Sequence, residues 1–196
     1  MRILGIDPGI RNTGWGIVSL TRGTLTHVAN GVIQPDPAAP DAARLSVIAD
    51  GLADIIQTHR PNAAAIEAIF VAKSAASALK LGMARGVAMM ACGTAGLDVA
   101  ELAAREVKKA IVGTGSADKA QMGAMVTRLV GVKAANADAA DALAIAIAAA
   151  NGVMPAGLEP AKKASSGGGL EAAIEAALAR DNAAAPRKSG TRKAGT

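Results

Sequence analysis

Two short apolar runs each carry a single acid near their C-terminal end, and this pattern constrains the chain more than any other feature. Residues 2–7 (RILGID) place Asp7 after Ile3, Leu4, Gly5 and Ile6, and Pro8-Gly9 ends the run. Residues 63–69 (AAAIEAI) place Glu67 in the same way. Such runs read as buried strands. A buried strand tolerates an acid only when the acid is paired or binds a metal. Between the two runs, residues 44–60 repeat Leu45, Ile48, Leu52, Ile55 and Ile56 at helical spacing, with Asp41 as the expected N-cap and Pro61-Asn62 as the stop. A helical crossover implies parallel strands, so the expected class is α/β. Open α/β sheets place their sites at the C-terminal ends of their strands, where both acids lie.

The remaining elements follow from punctuation and period. Residues 14–20 and 25–34 form strands joined by the hairpin turn Thr21-Arg22-Gly23-Thr24, extending the first strand into an antiparallel meander. Residues 77–95 form a long helix in spite of Gly82, Gly86 and Gly93, which suit close approach of another backbone. A strand at 98–102 and helices at 105–112, 118–130 and 138–151 complete residues 1–155 as one domain. Residues 156–196, with SSGGG and APRKSGTRKAGT, read as a low-complexity, basic, largely flexible tail, with a short helix conceivable at 170–180.

Composition excludes several classes. The single cysteine, Cys92, rules out a disulfide framework within the chain and fits a reducing compartment. MRILGIDPG turns polar too early for a signal peptide, and no run of about 18 apolar residues marks a membrane span. The expected location is therefore cytoplasmic, with no membrane partner. The net charge of +5 permits a polyanionic partner, but seven Lys/Arg against four Asp/Glu from Gly152 onward place three of those charges in the tail. His27 and His59 have no Ser or Cys partner motif and read as structural, as do Trp15 and Cys92.

A second acidic pair lies at the start of the last helix. Asp138 and Asp141 in NADAADALAIAIAAA are three residues apart, so both face one side. Taken singly, Asp7 is also a turn residue, Asp138 an N-cap and Asp141 a helix-dipole partner, while Glu67 has no capping role. Four gathered carboxylates repel unless a cation lies among them. Hard oxygen donors without a Cys/His cluster suit Mg²⁺, with Mn²⁺ as a substitute, rather than zinc. Two such ions roughly 3.5–4 Å apart serve phosphodiester hydrolysis.

RILGIDPGIRNTGWGIV, AIEAIFVAKSAASALKLGMARGVA, VKKAIVGTGSADKAQM and NADAADALAIAIA, in this order over about residues 1–151, resemble the RuvC-type Holliday-junction resolvases. The resemblance implies a ribonuclease-H-like fold, a five-stranded mixed sheet flanked by helices. It implies a Mg²⁺-dependent homodimer that binds a four-way DNA junction, makes paired symmetric nicks in recombination and repair, and works with the branch-migration motor complex. By the same match Asp7, Glu67, Asp138 and Asp141 are the metal-binding catalytic acids, Lys108 and Lys119 lie near the scissile phosphate, and Phe70 is a wedge at the junction centre. Lys73 and Arg85, with Arg11 and Lys80, are further candidates for phosphate contacts. The chain departs from the family pattern at Met83 (usually Gln), at Leu102 (often aromatic) and after Ile147 (commonly His-containing sequence). An actin-like ATPase, which shares G-x-D-x-G, needs two domains and a second Asp-Gly loop. A nuclease acting on RNA or hybrid, or a non-catalytic junction-binding protein, are the remaining alternatives.

Overall fold

The computed structural model describes residues 1–68 and 74–153. The tail expected at 156–196, including the helix at 170–180, lies outside the described residues, as do Phe70 and Lys73. Five strands, β1 (Arg2–Asp7), β2 (Thr13–Thr21), β3 (Thr24–Ile33), β4 (Ala63–Ala68) and β5 (Asp98–Ala103), form one sheet in the order β3-β2-β1-β4-β5. The pairs β1–β2 and β2–β3 are antiparallel, and β1–β4 and β4–β5 are parallel. This is the mixed sheet that the meander and the crossover dictate. Arg22 and Gly23 both have positive φ in the hairpin, as a tight primed turn requires.

Helices cover both faces. α1 (Asp41–His59) and α2 (Ala75–Thr94) pack over Leu4, Ile6, Ile17, Ala64 and Ile66. α3 (Ala104–Val112), α4 (Lys119–Val130) and α5 (Ala137–Ala148) pack over Ile3, Val18, Ala65, Ala100 and Leu102. Side chains alternate along a strand. Asp7 therefore shares the α5 face with Ile3 and Gly5, and Glu67 shares it with Ala65.

Several boundaries move. α1 starts at Asp41 rather than near Arg44; Pro40 occupies the N-cap position without a side-chain cap, and Asp41 is a first-turn acid. It serves the helix dipole and accepts from Arg44 and Lys80, each at 3.4 Å, instead of capping. The last helix begins one residue before Asp138, capped by the Asn136 side chain, and passes at Ala149 into a π-helical turn that reaches Val153. Asp138 is thus free of the capping role. The α2 glycines Gly82, Gly86 and Gly93 face open space: a Cβ at any of them meets nothing within 4 Å.

α5 is buried nearly all round, from Ala139 and Ala142 through Ala148. It lies directly on the sheet because glycine lines its seat. A Cβ on Gly5 would fall 2.6 Å from Ala146 N, one on Gly16 2.9 Å from Leu143 N, and one on Gly14 would overlap the Asp138 carbonyl. Small residues thus trade side-chain bulk for backbone approach. Cys92 is fully buried in α2, where burial pushes its thiol up to about 11, an inert hydrophobe as expected.

Candidate active site

The register that pairs Ile6 with Ile66 carries Asp7 and Glu67, one residue further on, side by side on adjacent parallel strands. α5, seated on Gly14 and Gly16, brings Asp138 and Asp141 over the same strand ends. Asp7, Glu67 and Asp141 line one cleft of about 360 Å³ together with Lys108 and Lys119. Asp138 lines an adjoining cleft with Arg11, Asn12 and Lys80. Acids from three distant segments thus lie near the same strand ends, three of them on one cleft and Asp138 on another.

Electrostatics report the crowding. Burial, then the charges of Glu67, Asp141 and Asp138, push the Asp7 carboxyl up to about 7, with Lys119 opposing. Burial and then Asp141 raise Glu67, while Lys119 and Lys108 pull it down. Lys119 Nζ stands 3.3 Å from Asp141 Oδ2, and Asp141 above all holds its ammonium up. Among the described residues no three His, Cys, Asp or Glu side chains are gathered tightly enough to hold an ion unaided. The donor set, four carboxylates with two lysines at the rim, fits a hard divalent ion.

The candidate cations divide. Lys108 and Lys119 lie on the carboxylate cleft. Lys80 pairs with Asp41. Arg85 is engaged within the fold: its guanidinium is paired with Glu101 on β5, and its Nε lies 3.4 Å from the Glu67 main-chain oxygen. Arg85 therefore ties α2 to the ends of β4 and β5. Phe70 and Lys73 are expectations about residues outside those described.

Sequence reasoning missed an outer layer of polar support. Asn12 Nδ2 donates to Asp138 Oδ2 at 3.0 Å, and Gln34 Nε2 to Asn12 Oδ1 at 3.3 Å. Asn30 Oδ1 accepts from Ala135 N at 2.9 Å, and its amide lies 2.7 Å from His27 Nε2, so β3 pins the loop that leads into α5. Burial lowers the His27 pKa, which favours the neutral ring that can accept from Asn30. Only Asn12 lies near the DPG turn in sequence; His27, Asn30 and Gln34 come from β3 and the residue after it and carry no local signal.

Residues 3–149 match the family model described as crossover junction endodeoxyribonuclease RuvC. The protein of that description from Maricaulis maris is 55% identical over 147 residues, covering 75% of this chain and 89% of its own length. That from Paramagnetospirillum magneticum is 54% identical over 148 residues, covering 75% and 89%. The structure of T. thermophilus RuvC in complex with Holliday junction substrate superposes with a TM-score of 0.72 at 31% identity, covering 76% of this chain and 93% of that one. The yeast mitochondrial Holliday junction resolvase Ydc2, at 14% identity and a TM-score of 0.56, shares the fold. A ribonuclease-H-like sheet with its acids at the strand ends, matched along nearly all its described length, makes this chain a member of the RuvC family of crossover junction endodeoxyribonucleases.

Proposed function

We propose that the protein resolves four-way DNA junctions by hydrolysing one phosphodiester in each of two strands, and that Asp7, Glu67, Asp138 and Asp141 are the acids that hold Mg²⁺ for this reaction. The observation that carries the reading is the convergence of acids from three chain segments on two clefts, with Asp7 pushed up to about 7 by burial first and then by the charges of Glu67, Asp141 and Asp138. A pair of divalent ions, when bound, supplies Lewis-acid activation of the attacking water and of the leaving 3′ oxygen. The chain supplies the rest. Lys108 and Lys119 present positive charge to the phosphate where negative charge develops, and Lys119 is drawn toward the site by Asp141. β4 and its Arg85 clamp fix the Glu67 backbone. Phe70, close after Glu67 in sequence, is the proposed wedge between bases, and Lys73 a proposed phosphate contact.

Paired nicks require two sites, and the proposed partner is a second copy of this chain. The open stripe of α2, with Leu79 and Met90 67% and 60% exposed beside Gly82 and Gly86, is the proposed seat. No described helix is long and apolar enough to cross a membrane, in keeping with a proposed cytoplasmic site of action. The branch-migration motor complex is the proposed partner on family membership.

Cleavage of a synthetic four-way junction, a plain DNA duplex and an RNA–DNA hybrid in Mg²⁺ tests the reading, with sedimentation giving the oligomeric state. Cleavage of the junction in preference to the other two, abolished by Asp7→Asn, is expected. Preferential cleavage of the hybrid, or junction binding without cleavage by the unaltered chain, would overturn it.

A further inference from the structure

Two of the four acids are held in opposite ways. Asp141 is met by the Lys119 ammonium. Asp138 makes no ion pair among the described residues and is met instead by a neutral amide, Asn12 Nδ2 at 3.0 Å. A carboxylate can only accept, so the Asn12 amine must face Asp138 and its carbonyl must face away. Gln34 Nε2 donates to that carbonyl at 3.3 Å.

The segment that carries Asn12 is itself fixed. The hydroxyl of fully buried Thr13 donates to Gly9 O at 2.9 Å, and Arg44, 5% exposed, donates to Ile10 O at 2.8 Å. Two residues beyond Asn12, Gly14 supports the Asp138 backbone. One short segment, 12–14, thus sets both the main chain and the carboxylate of Asp138.

We propose that Asn12 is a positioning residue for Asp138, and that Gln34 reinforces the amide orientation that the carboxylate requires. This rests on the reading of Asp138 as a cation ligand. A neutral donor orients the carboxylate without cancelling its charge, so the full charge stays available to a divalent ion. The bond to Oδ2 fixes the plane of the carboxylate and leaves Oδ1 without a hydrogen-bond partner among the described residues. An acid already confined loses less freedom when an ion binds.

The test is Mn²⁺ binding to the DNA-free, full-length protein, followed by the electron-spin signal of free Mn²⁺. Asn12→Ala should weaken binding about tenfold, the size typical of lost outer-layer ligand support. Gln34→Ala should have a smaller effect. Gln34→Glu should equal or exceed Asn12→Ala, because a carboxylate at 34 can only accept and turns the Asn12 carbonyl toward Asp138. In an Asn12→Ala background, Gln34→Glu should add nothing. Junction cleavage by Asn12→Ala should need more Mg²⁺ for half-maximal rate, with kcat largely recovered at saturation. Asn12→Ala binding Mn²⁺ as the parent does, or Gln34→Glu weakening binding equally with Asn12 absent, overturns the proposal. Asp7→Asn keeps the two levels apart: if it leaves Mn²⁺ binding intact, the carboxylate site itself is wrong, and if it abolishes binding while Asn12→Ala changes nothing, only the positioning role fails.

Discussion

Gly14 on β2 lies directly beneath Asp138 on α5, so close that a Cβ on the glycine would overlap the main-chain carbonyl of the aspartate. What blocks the methyl group is backbone, which has no rotamer to change. Gly14→Ala must therefore lift the start of α5 or push β2 aside. Overpacking of this kind costs about 1–3 kcal/mol. Misplacing a ligand by about 1 Å costs on the order of 10²-fold in rate. Junction cleavage should fall by about that factor, while junction affinity, carried mainly by phosphate contacts, changes by less than threefold. Single-turnover rates beside anisotropy titrations separate the two. A Gly14→Ala protein that cleaves at the parental rate would show that the glycine seat does not set the site.

The same contact marks where the sequence stops being readable. Period and punctuation sufficed for the sheet, because strands and helices of this chain are each apolar on a regular repeat. Asp7 and Glu67 stood out since an acid violates that repeat. Gly5, Gly14 and Gly16 did not: a glycine beneath a helix 120 or more residues away leaves no local trace. Asn12, Gln34 and Asn30 likewise act across the fold. The pairing of Arg85 with Glu101 joins α2 to β5, and nothing in the local pattern of either segment announces it.

Lys119 and a divalent ion compete for Asp141. The lysine side chain is 84% exposed and reaches the carboxylate at 3.3 Å. With Lys119→Met the DNA-free protein should bind Mn²⁺ a few-fold more tightly, since one cation no longer has to leave. Junction cleavage at saturating Mg²⁺ should nevertheless drop by about 10²–10³, the loss expected when one group that stabilises developing charge is removed. Tighter ion binding with slower chemistry is the signature. Weaker ion binding in Lys119→Met would mean that the lysine supports the acids rather than competing with the ion.

Asp7 makes the ion-free fold pH-sensitive. Its carboxyl titrates at about 7 in the folded chain, raised from 3.8 chiefly by burial. Between these values the folded chain keeps a proton that the unfolded chain releases. Stability must therefore fall as pH rises from about 4 to about 7 and level off above, with a slope of at most about 1.4 kcal/mol per pH unit. Urea unfolding in chelator at pH 5 and pH 8 should show the parent losing stability relative to Asp7→Asn, whose side chain does not titrate. Added Mg²⁺ should reverse the effect at pH 8, where the carboxylate is charged. Equal pH dependence in parent and variant would place the Asp7 titration near its ordinary value.

Lys108 and Arg85 should differ in how they respond to salt. A side chain that neutralises a phosphate releases a counterion, and its loss reduces the slope of log affinity against log salt by about 0.9. Lys108, on the rim of the carboxylate cleft, is expected to behave so: Lys108→Gln should flatten the slope by about one unit. Arg85 is paired with Glu101 and lies against the Glu67 main chain. Arg85→Gln should leave the slope unchanged and lower kcat instead, because the end of β4 loses its clamp and Glu67 its fixed backbone. Anisotropy titrations of a labelled junction in Ca²⁺, over a range of potassium concentrations, measure both slopes. If Arg85→Gln flattened the slope as much as Lys108→Gln, the arginine would belong on the DNA after all, and its pairing with Glu101 would have to open when the junction binds.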